Sequence, residues 1–256
     1  MAINLNLELT DRCNLKCRMC GQFFMDDVHG AAETFMEWST WKSLVDGLAD
    51  YPDEIHLCPH WLGEPTLHPE FDRFIRYAFE QNGRNRLFRH FKLHTNAVIF
   101  GPERSQNLLE CAALPGVGED TFRWIHFSID ALHRPTYRYV KGGDHRDRVF
   151  TNIETFLKKR QERGQFFPRV TVAFIVMPEN RGEAAGFLHY WREVLRRYGT
   201  DPNLTRDWPH ELKDSVYIRR LNTEDQASAD ELHREVLVEL GLLPAGSEWR
   251  LTGESF

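Results

Sequence analysis

No apolar run in this 256-residue chain is longer than a strand needs, so nothing in it reads as a membrane-spanning helix. No positively charged, apolar leader with a small-residue cleavage site precedes Cys13, so no secretory signal is expected and the expected location is the cytoplasm. Positive charge is not in excess either: 32 Lys and Arg stand against 38 Asp and Glu, a net charge of -6. That balance argues against a polyanion-binding face, and pairs such as Arg196-Arg197 read as solvated surface, so neither nucleic acid nor membrane is an expected partner. Cysteine is scarce and unevenly placed. There are five, an odd number, and none follows Cys111. Three crowd into Cys13-x3-Cys17-x2-Cys20 while Cys58 and Cys111 stand apart, a poor disulfide framework in a reducing compartment. A metal is the better first reading.

What is present is a regular alternation of strand and helix. Residues 3 to 10 alternate apolar and polar, the period of a strand, and the cysteine loop follows directly. Ser39 reads as the cap of a helix carrying Trp41, Leu44, Val45 and Leu48, before a strand at 54-61. After Gly63-Glu64-Pro65, Pro69 opens a helix ending at Asn82-Gly83, and a third strand covers 88-97. A fourth at 122-130 is followed by a turn, a Gly142-Gly143 break and a helix over 149-163. The fifth, 169-177, is nearly all apolar and therefore buried on both faces. Asn180 starts the next helix, a sixth strand spans 214-221, and Ser228 with Glu231 reads as the capping box of a last helix reaching Leu240.

Such alternation implies an α/β fold with a parallel sheet and right-handed crossovers. An open doubly wound sheet wants strands that are apolar on both faces, and several of these are not. Asn4, Asn6 and Glu8; His56, Cys58 and His60; Lys92, His94 and Asn96; His126, Ser128 and Asp130; and Tyr217 with Arg219 all fall on the polar parity. If the apolar parity packs on the helices, the polar one lines a concave interior, which favours a splayed (βα)6 partial TIM-like barrel over residues 1-222, with a helical tail at 223-256.

Thiolates bind soft metals, which leaves zinc and an iron-sulfur cluster. Structural zinc wants four closed ligands, and His29 or a remote residue has to supply the fourth. A cubane cluster normally takes four cysteines, so three leave one iron open for chemistry. The loop also lies at the carboxyl end of the first strand, where parallel α/β folds build their sites.

Cys13-x3-Cys17-x2-Cys20 after a first strand resembles the signature of the radical S-adenosylmethionine (radical SAM) enzymes. Gly63-Glu64-Pro65 after the second strand is similar to the family element that binds the methionyl amino group. Thr95-Asn96 and Ser128-Ile129-Asp130 match family positions, the serine near the cofactor ribose, and 174-FIVMPEN-180 matches the segment whose backbone meets the adenine. Two positions depart from the pattern: Met19 stands where an aromatic often precedes the third cysteine and would pack on the adenine, and Leu62 replaces the first glycine of Gly-Gly-Glu-Pro.

The resemblance implies a [4Fe-4S] cluster on Cys13, Cys17 and Cys20, S-adenosyl-L-methionine on its open iron, and Glu64 as acceptor for the ammonium. It further implies Arg138 or Lys141 as partner of the carboxylate, and an electron donor such as flavodoxin or ferredoxin. Reductive cleavage would yield a 5'-deoxyadenosyl radical that takes hydrogen from substrate. The core is most similar to members acting on peptides and carbohydrates that carry a cysteine-rich C-terminal extension, which this sequence lacks. The polar wall suits a polar small molecule or a peptide side chain. Cys58 is a small buried hydrophobe or, as in radical epimerases of the family, a hydrogen-atom donor; Cys111 reads as core. Two further readings stay open: an activase that makes a glycyl radical on a protein partner, and a zinc-stapled binding module.

Overall fold

The computed structural model describes residues 2-21, 34-199, 201-208 and 210-246. Seven strands form one parallel sheet in the order β1-β2-β3-β4-β5-β7-β6. They are β1 (Ala2–Asn6), β2 (Glu54–Cys58), β3 (His90–Thr95), β4 (Phe122–Ser128), β5 (Arg169–Ile175), β6 (Asn203–Thr205) and β7 (Ser215–Arg219). Helices α1 (Trp38–Gly47), α2 (Phe71–Asn85), α3 (Pro102–Ala112), α4 (Arg134–Lys141), α5 (Arg146–Glu162), α6 (Ala184–Tyr198) and α7 (Gln226–Glu239) are the α-helices of the described residues. Both ends of the sheet are open, as in a partial TIM-like barrel.

Strand parity divides the molecule as the period of two requires. Ile55 and Leu57, Phe91 and Leu93, Ile125 and Phe127, and Val216 and Ile218 point to the helices and are buried. Phe79 of α2 packs on Phe91 and Phe122 with ring centroids 5.0 and 5.5 Å away. Each such side chain contributes roughly 1.5–3 kcal/mol by leaving water. β5 is buried on both parities, since Thr171 and Ala173 are as enclosed as Val170 and Val172.

Several local expectations are corrected. Helix α1 begins at Trp38, so Ser39 lies inside it and caps nothing, and Leu44 is exposed. Helix α2 runs through Gly83 to Asn85. Gly83 is there because a Cβ would overlap the Pro115 carbonyl, a close approach and not a stop. Asn180 does not cap α6; it is fully buried, and a short turn at Arg181–Glu183 separates it from the helix. Asp225, not Ser228, caps α7 by accepting from the Ser228 amide. A seventh strand, β6, pairs with β7 over three residues, too few to show a period. Where a plain turn was expected after β4, α4 forms and ends at Gly142, which is left-handed at φ 69°. Helix α7 places Val236 and Leu237 in the same apolar cluster as the sheet, and His233 Nε2 lies 3.0 Å from the Ile218 carbonyl.

Candidate functional site

The cysteine loop follows β1 and is clamped from three sides. From below, the β2 loop presses Gly63 against it: a Cβ at Gly63 would overlap the Thr10 carbonyl and crowd that of Arg12. The amides of Leu62 and Gly63 donate to Glu8 Oε1 at 2.7 and 2.5 Å, and the Glu64 amide donates to the Arg12 carbonyl at 2.7 Å. From β3, Asn96 Nδ2 donates to Asn14 Oδ1 at 2.7 Å and lies 3.7 Å from Cys13 Sγ. From α4, the last carbonyls receive the loop: Lys16 and Arg18 amides donate to Lys141 and Val140 at 3.2 and 2.9 Å. Those carbonyls have no partner within the helix, so the loop satisfies them. A side chain at Gly142 would collide with the Lys16 carbonyl.

The three thiols are free, half-buried and on one side of the sheet's carboxyl end. Burial pushes the Cys13 thiol up to about 12, with the Leu15 amide pulling back and Glu64 adding to the rise. Cys17 is likewise raised, by burial first and against the pull of Lys141. Thiols held this way lose their protons to a bound metal and not to water. Among the described residues no three His, Cys, Asp or Glu side chains converge as ligands of a single ion would. His29 lies outside the described residues. The donor set, three thiolates without a fourth, fits a cluster with one iron uncommitted.

Glu64 is almost wholly buried and its acceptor geometry is nearly full. Oε1 accepts from the Thr66 amide (3.1 Å), the Thr66 hydroxyl (2.5 Å) and the Thr95 hydroxyl (2.7 Å), while Oε2 accepts only from the Asn96 amide (2.7 Å). A carboxylate has about four lone-pair sites, two per oxygen, so Oε2 keeps room for one more donor. Burial raises its pKa, and these four donors only partly oppose that. Pro65 begins the one-turn helix Pro65–Leu67 that aims the Thr66 amide back at Glu64.

Across the loop, Lys141 Nζ donates to Asp130 Oδ2 at 2.7 Å and to the half-buried Ser128 Oγ at 3.0 Å, and the Lys141 and Asp130 side chains are enclosed by protein. Burial works against the ammonium form, but Asp130 and the nearby Cys17 outweigh it and raise the Lys141 pKa. Asp130 adopts φ 62°, a left-handed turn that costs a non-glycine residue about 1–2 kcal/mol, and is held there by Ile175 and Asn180. Asn180 Nδ2 bridges the Asp130 and Ile175 carbonyls, each at 2.8 Å, and its Oδ1 accepts from the Met177 amide.

Of the residues singled out from the sequence, Cys13, Cys17, Cys20, Met19, Gly63, Glu64, Pro65 and Asn96 surround the loop, and Ser128, Asp130 and Lys141 form the facing group. Arg138, one turn before Lys141, is exposed on α4. Met19 is partly buried against the apolar cluster. Cys58 lies one register step below the loop beside Asn6, and burial pushes its thiol up to about 12. Four residues gave no sequence signal of their own role: Glu8 and Thr66, which bond backbone amides or the Glu64 carboxylate, Asn14, which accepts from the Asn96 side chain, and Asn180.

A family model described as Radical SAM superfamily matches residues 7–190. A tungsten-containing aldehyde ferredoxin oxidoreductase cofactor-modifying protein of Pyrococcus furiosus is 28% identical over 219 residues, 83% of this chain and 54% of that protein. An S-adenosylmethionine-dependent nucleotide dehydratase of Selenomonas ruminantium is 30% identical over 105 residues, 40% of this chain and 35% of that protein. This chain therefore spans about half or less of the length of these curated relatives. Among solved structures, anSMEcpe with bound AdoMet superposes with a TM-score of 0.62 at 16% identity, covering 94% of this chain and 59% of that one, a likeness of fold. The family match takes in the cysteine loop, the Glu64 turn, the Ser128 to Lys141 group and the strands that carry them, and this chain belongs to the radical SAM superfamily.

Proposed function

We propose that this chain is a radical SAM enzyme acting on a polar small molecule, carbohydrate-like in its hydroxyl content, or on a peptide side chain, by epimerisation or another change at a C–H bond. The observation that carries the proposal is the pairing of a three-thiol loop with a buried Glu64 that has one acceptor position left. A [4Fe-4S] cluster with S-adenosylmethionine bound supplies, on receiving one electron, a 5'-deoxyadenosyl radical able to take hydrogen from substrate. The protein's own part is to bind, orient and exclude water. Cys13, Cys17 and Cys20 would hold the iron, Glu64 Oε2 would accept from the amino group, and Lys141 would offer positive charge to the carboxylate. The resemblance would put Ser128 at the ribose and the backbone of the Ile175–Met177 turn at the adenine. The names of the curated relatives, a cofactor-modifying protein and a nucleotide dehydratase, run to polar substrates and support that class. Anaerobic reconstitution tests the proposal: iron and sulfide should reach about four each per chain, and one zinc without iron would leave a metal-stapled binding module.

We propose Cys58 as the hydrogen-atom donor of an epimerisation. Its thiol stays protonated at neutral pH, which the role requires. In heavy water the wild-type product should carry deuterium at the inverted carbon and the Cys58→Ala product should not; equal incorporation removes Cys58 from the reaction.

The reductant is proposed to be a small acidic electron carrier of the flavodoxin or ferredoxin kind. Lys16 and Arg18 are exposed on the outer side of the cysteine loop, and Arg18 stacks at 3.8 Å on the exposed ring of Tyr139. Such a rim steers an acidic partner and little else. The double variant Lys16→Glu/Arg18→Glu should slow flavodoxin-driven turnover about tenfold at low salt and leave dithionite-driven turnover as it was. Equal slowing with both reductants would remove the docking role.

A further inference from the structure

The inner face of the sheet carries a row of imidazoles. His60 stacks on His94 with centroids 5.3 Å apart, His94 on His126 at 4.8 Å, and Tyr217 meets His126 edge-on at 6.2 Å. Among the described residues none of the three imidazoles has a hydrogen-bond partner, so their ring nitrogens are left to whatever enters the barrel. Beside the row, at the carboxyl end of β7 and paired with Ile175, stands Arg219. It shares the parity of Tyr217, is half-buried, and among the described residues its guanidinium meets no acceptor and no carboxylate.

The charges around it explain why this matters. Among the described residues the carboxylates on the inner parity are already committed: Glu8 to the Leu62 and Gly63 amides, Glu54 to His56, Glu64 to Thr66, Thr95 and Asn96, Asp130 to Lys141 and Ser128. Lys92, another inner-face cation, has Asn4 Oδ1 at 2.7 Å and the Trp124 ring at 4.8 Å, and no carboxylate among the described residues. Arg219 and Lys92 therefore flank the imidazole row with uncompensated positive charge. Burial first, and Arg219 next to His126, push the His126 pKa down to about 3, so that ring is neutral and can accept or donate without adding charge. A half-buried guanidinium with no protein partner is open to a ligand, and its planar fork matches the two oxygens of a carboxylate or phosphate.

We infer that the substrate is an oxyanion, a molecule bearing a carboxylate or a phosphate group, and that Arg219 receives that group with the His94 and His126 imidazoles beside it. This rests on the proposed reading of the chain as an enzyme whose reacting site is the barrel interior, and it narrows the polar substrate class to anionic members. Arg219 lies one strand from Asp130, whose Oδ1 accepts from the Ile175 amide at 2.9 Å, so an anion held there puts the rest of the substrate near the cofactor group.

Isothermal titration of the anaerobically reconstituted full chain at low salt, with inorganic phosphate and with succinate as probes and glucose as the uncharged control, tests the inference. Wild type should bind at least one of the two anions saturably and glucose not at all, and the stronger anion identifies phosphate or carboxylate as the group read. Arg219→Gln should weaken that anion at least tenfold and Arg219→Lys less, while Arg197→Gln, on the outer side of α6, should match wild type. Arginine labelling by phenylglyoxal, read by mass spectrometry on the wild type, gives the same answer without a variant: Arg219 should react and the bound anion should protect it. Unchanged binding in Arg219→Gln, no preference for either anion over glucose, or no protection overturns it. So does a loss of S-adenosylmethionine affinity in Arg219→Gln with anion binding kept, which would assign Arg219 to the cofactor. Failure of wild type to cleave S-adenosylmethionine would sink the radical reading instead, and leave the anion result standing.

Discussion

Replacing Cys13, Cys17 or Cys20 singly by alanine is expected to abolish reductant-dependent cleavage of S-adenosylmethionine and to lower iron retained after reconstitution well below the wild-type level. Each of the three sulfurs is presented by a backbone fixed elsewhere. The loop amides of Lys16 and Arg18 are spent on the end of α4, and the carbonyls of Thr10 and Arg12 lie against Gly63 and Glu64. An alanine supplies no thiolate, and a water entering the vacated space is a neutral and weaker ligand for iron than the sulfur it replaces. Cys111→Ala serves as the contrast, because that thiol is enclosed in the α3 core away from the loop. It should cost stability on the scale of a small cavity, roughly 1 kcal/mol, and leave the iron content alone. Iron analysis and 5'-deoxyadenosine quantified by mass spectrometry check both; wild-type iron and turnover in any of the three loop variants would remove that cysteine from the ligand set.

The second large effect is expected at Glu64. Glu64→Gln preserves the shape of the side chain and removes the charge from the one position where Oε2 has room for a donor. Hydrogen bonds to charged groups are worth about 1.5–3 kcal/mol, so S-adenosylmethionine affinity should fall by roughly 10- to 150-fold. A pH signature separates this from a folding defect. Burial raises the Glu64 pKa, so the carboxylate is lost by protonation at a higher pH than an ordinary glutamate would be. An ammonium needs the ionised form. Wild-type affinity should therefore decline as the pH is lowered through that raised pKa, and the decline should be missing in Glu64→Gln. Equal affinities, or equal pH profiles, would assign Glu64 a purely structural role in tying Thr66 and Thr95 together.

The parts of this molecule that a sequence shows are those encoded by period and by local turns. The alternation of Asn4, Asn6 and Glu8 with Ile3, Leu5 and Leu7 reveals which face of β1 looks inward, and the same parity on β2, β3, β4 and β7 reveals the polar wall. Gly63 is legible only through the resemblance of Gly63-Glu64-Pro65 to a family element, and not through any period. What fails to show is whatever depends on contacts across the barrel. Helix α4 has only Tyr137 and Val140 as apolar buried positions, and its third buried residue is Lys141, which no hydrophobic pattern predicts. That lysine is enclosed because Asp130, in a left-handed turn, comes to meet it. From the sequence Arg138 and Lys141 are equal candidates for the cofactor carboxylate; helical geometry turns one outward and the other toward Cys17. The guanidinium of Arg219, without a partner among the described residues, is equally invisible in sequence, because that is a property of where the inner carboxylates went.

The most direct test of the central claim is 5'-deoxyadenosine formed per chain by the anaerobically reconstituted protein, with and without a one-electron reductant, in wild type and Cys17→Ala. The three-thiol site predicts product that requires reductant in wild type and none in Cys17→Ala. Product that appears without reductant, persists in Cys17→Ala, or fails to form in iron-loaded wild type would contradict it.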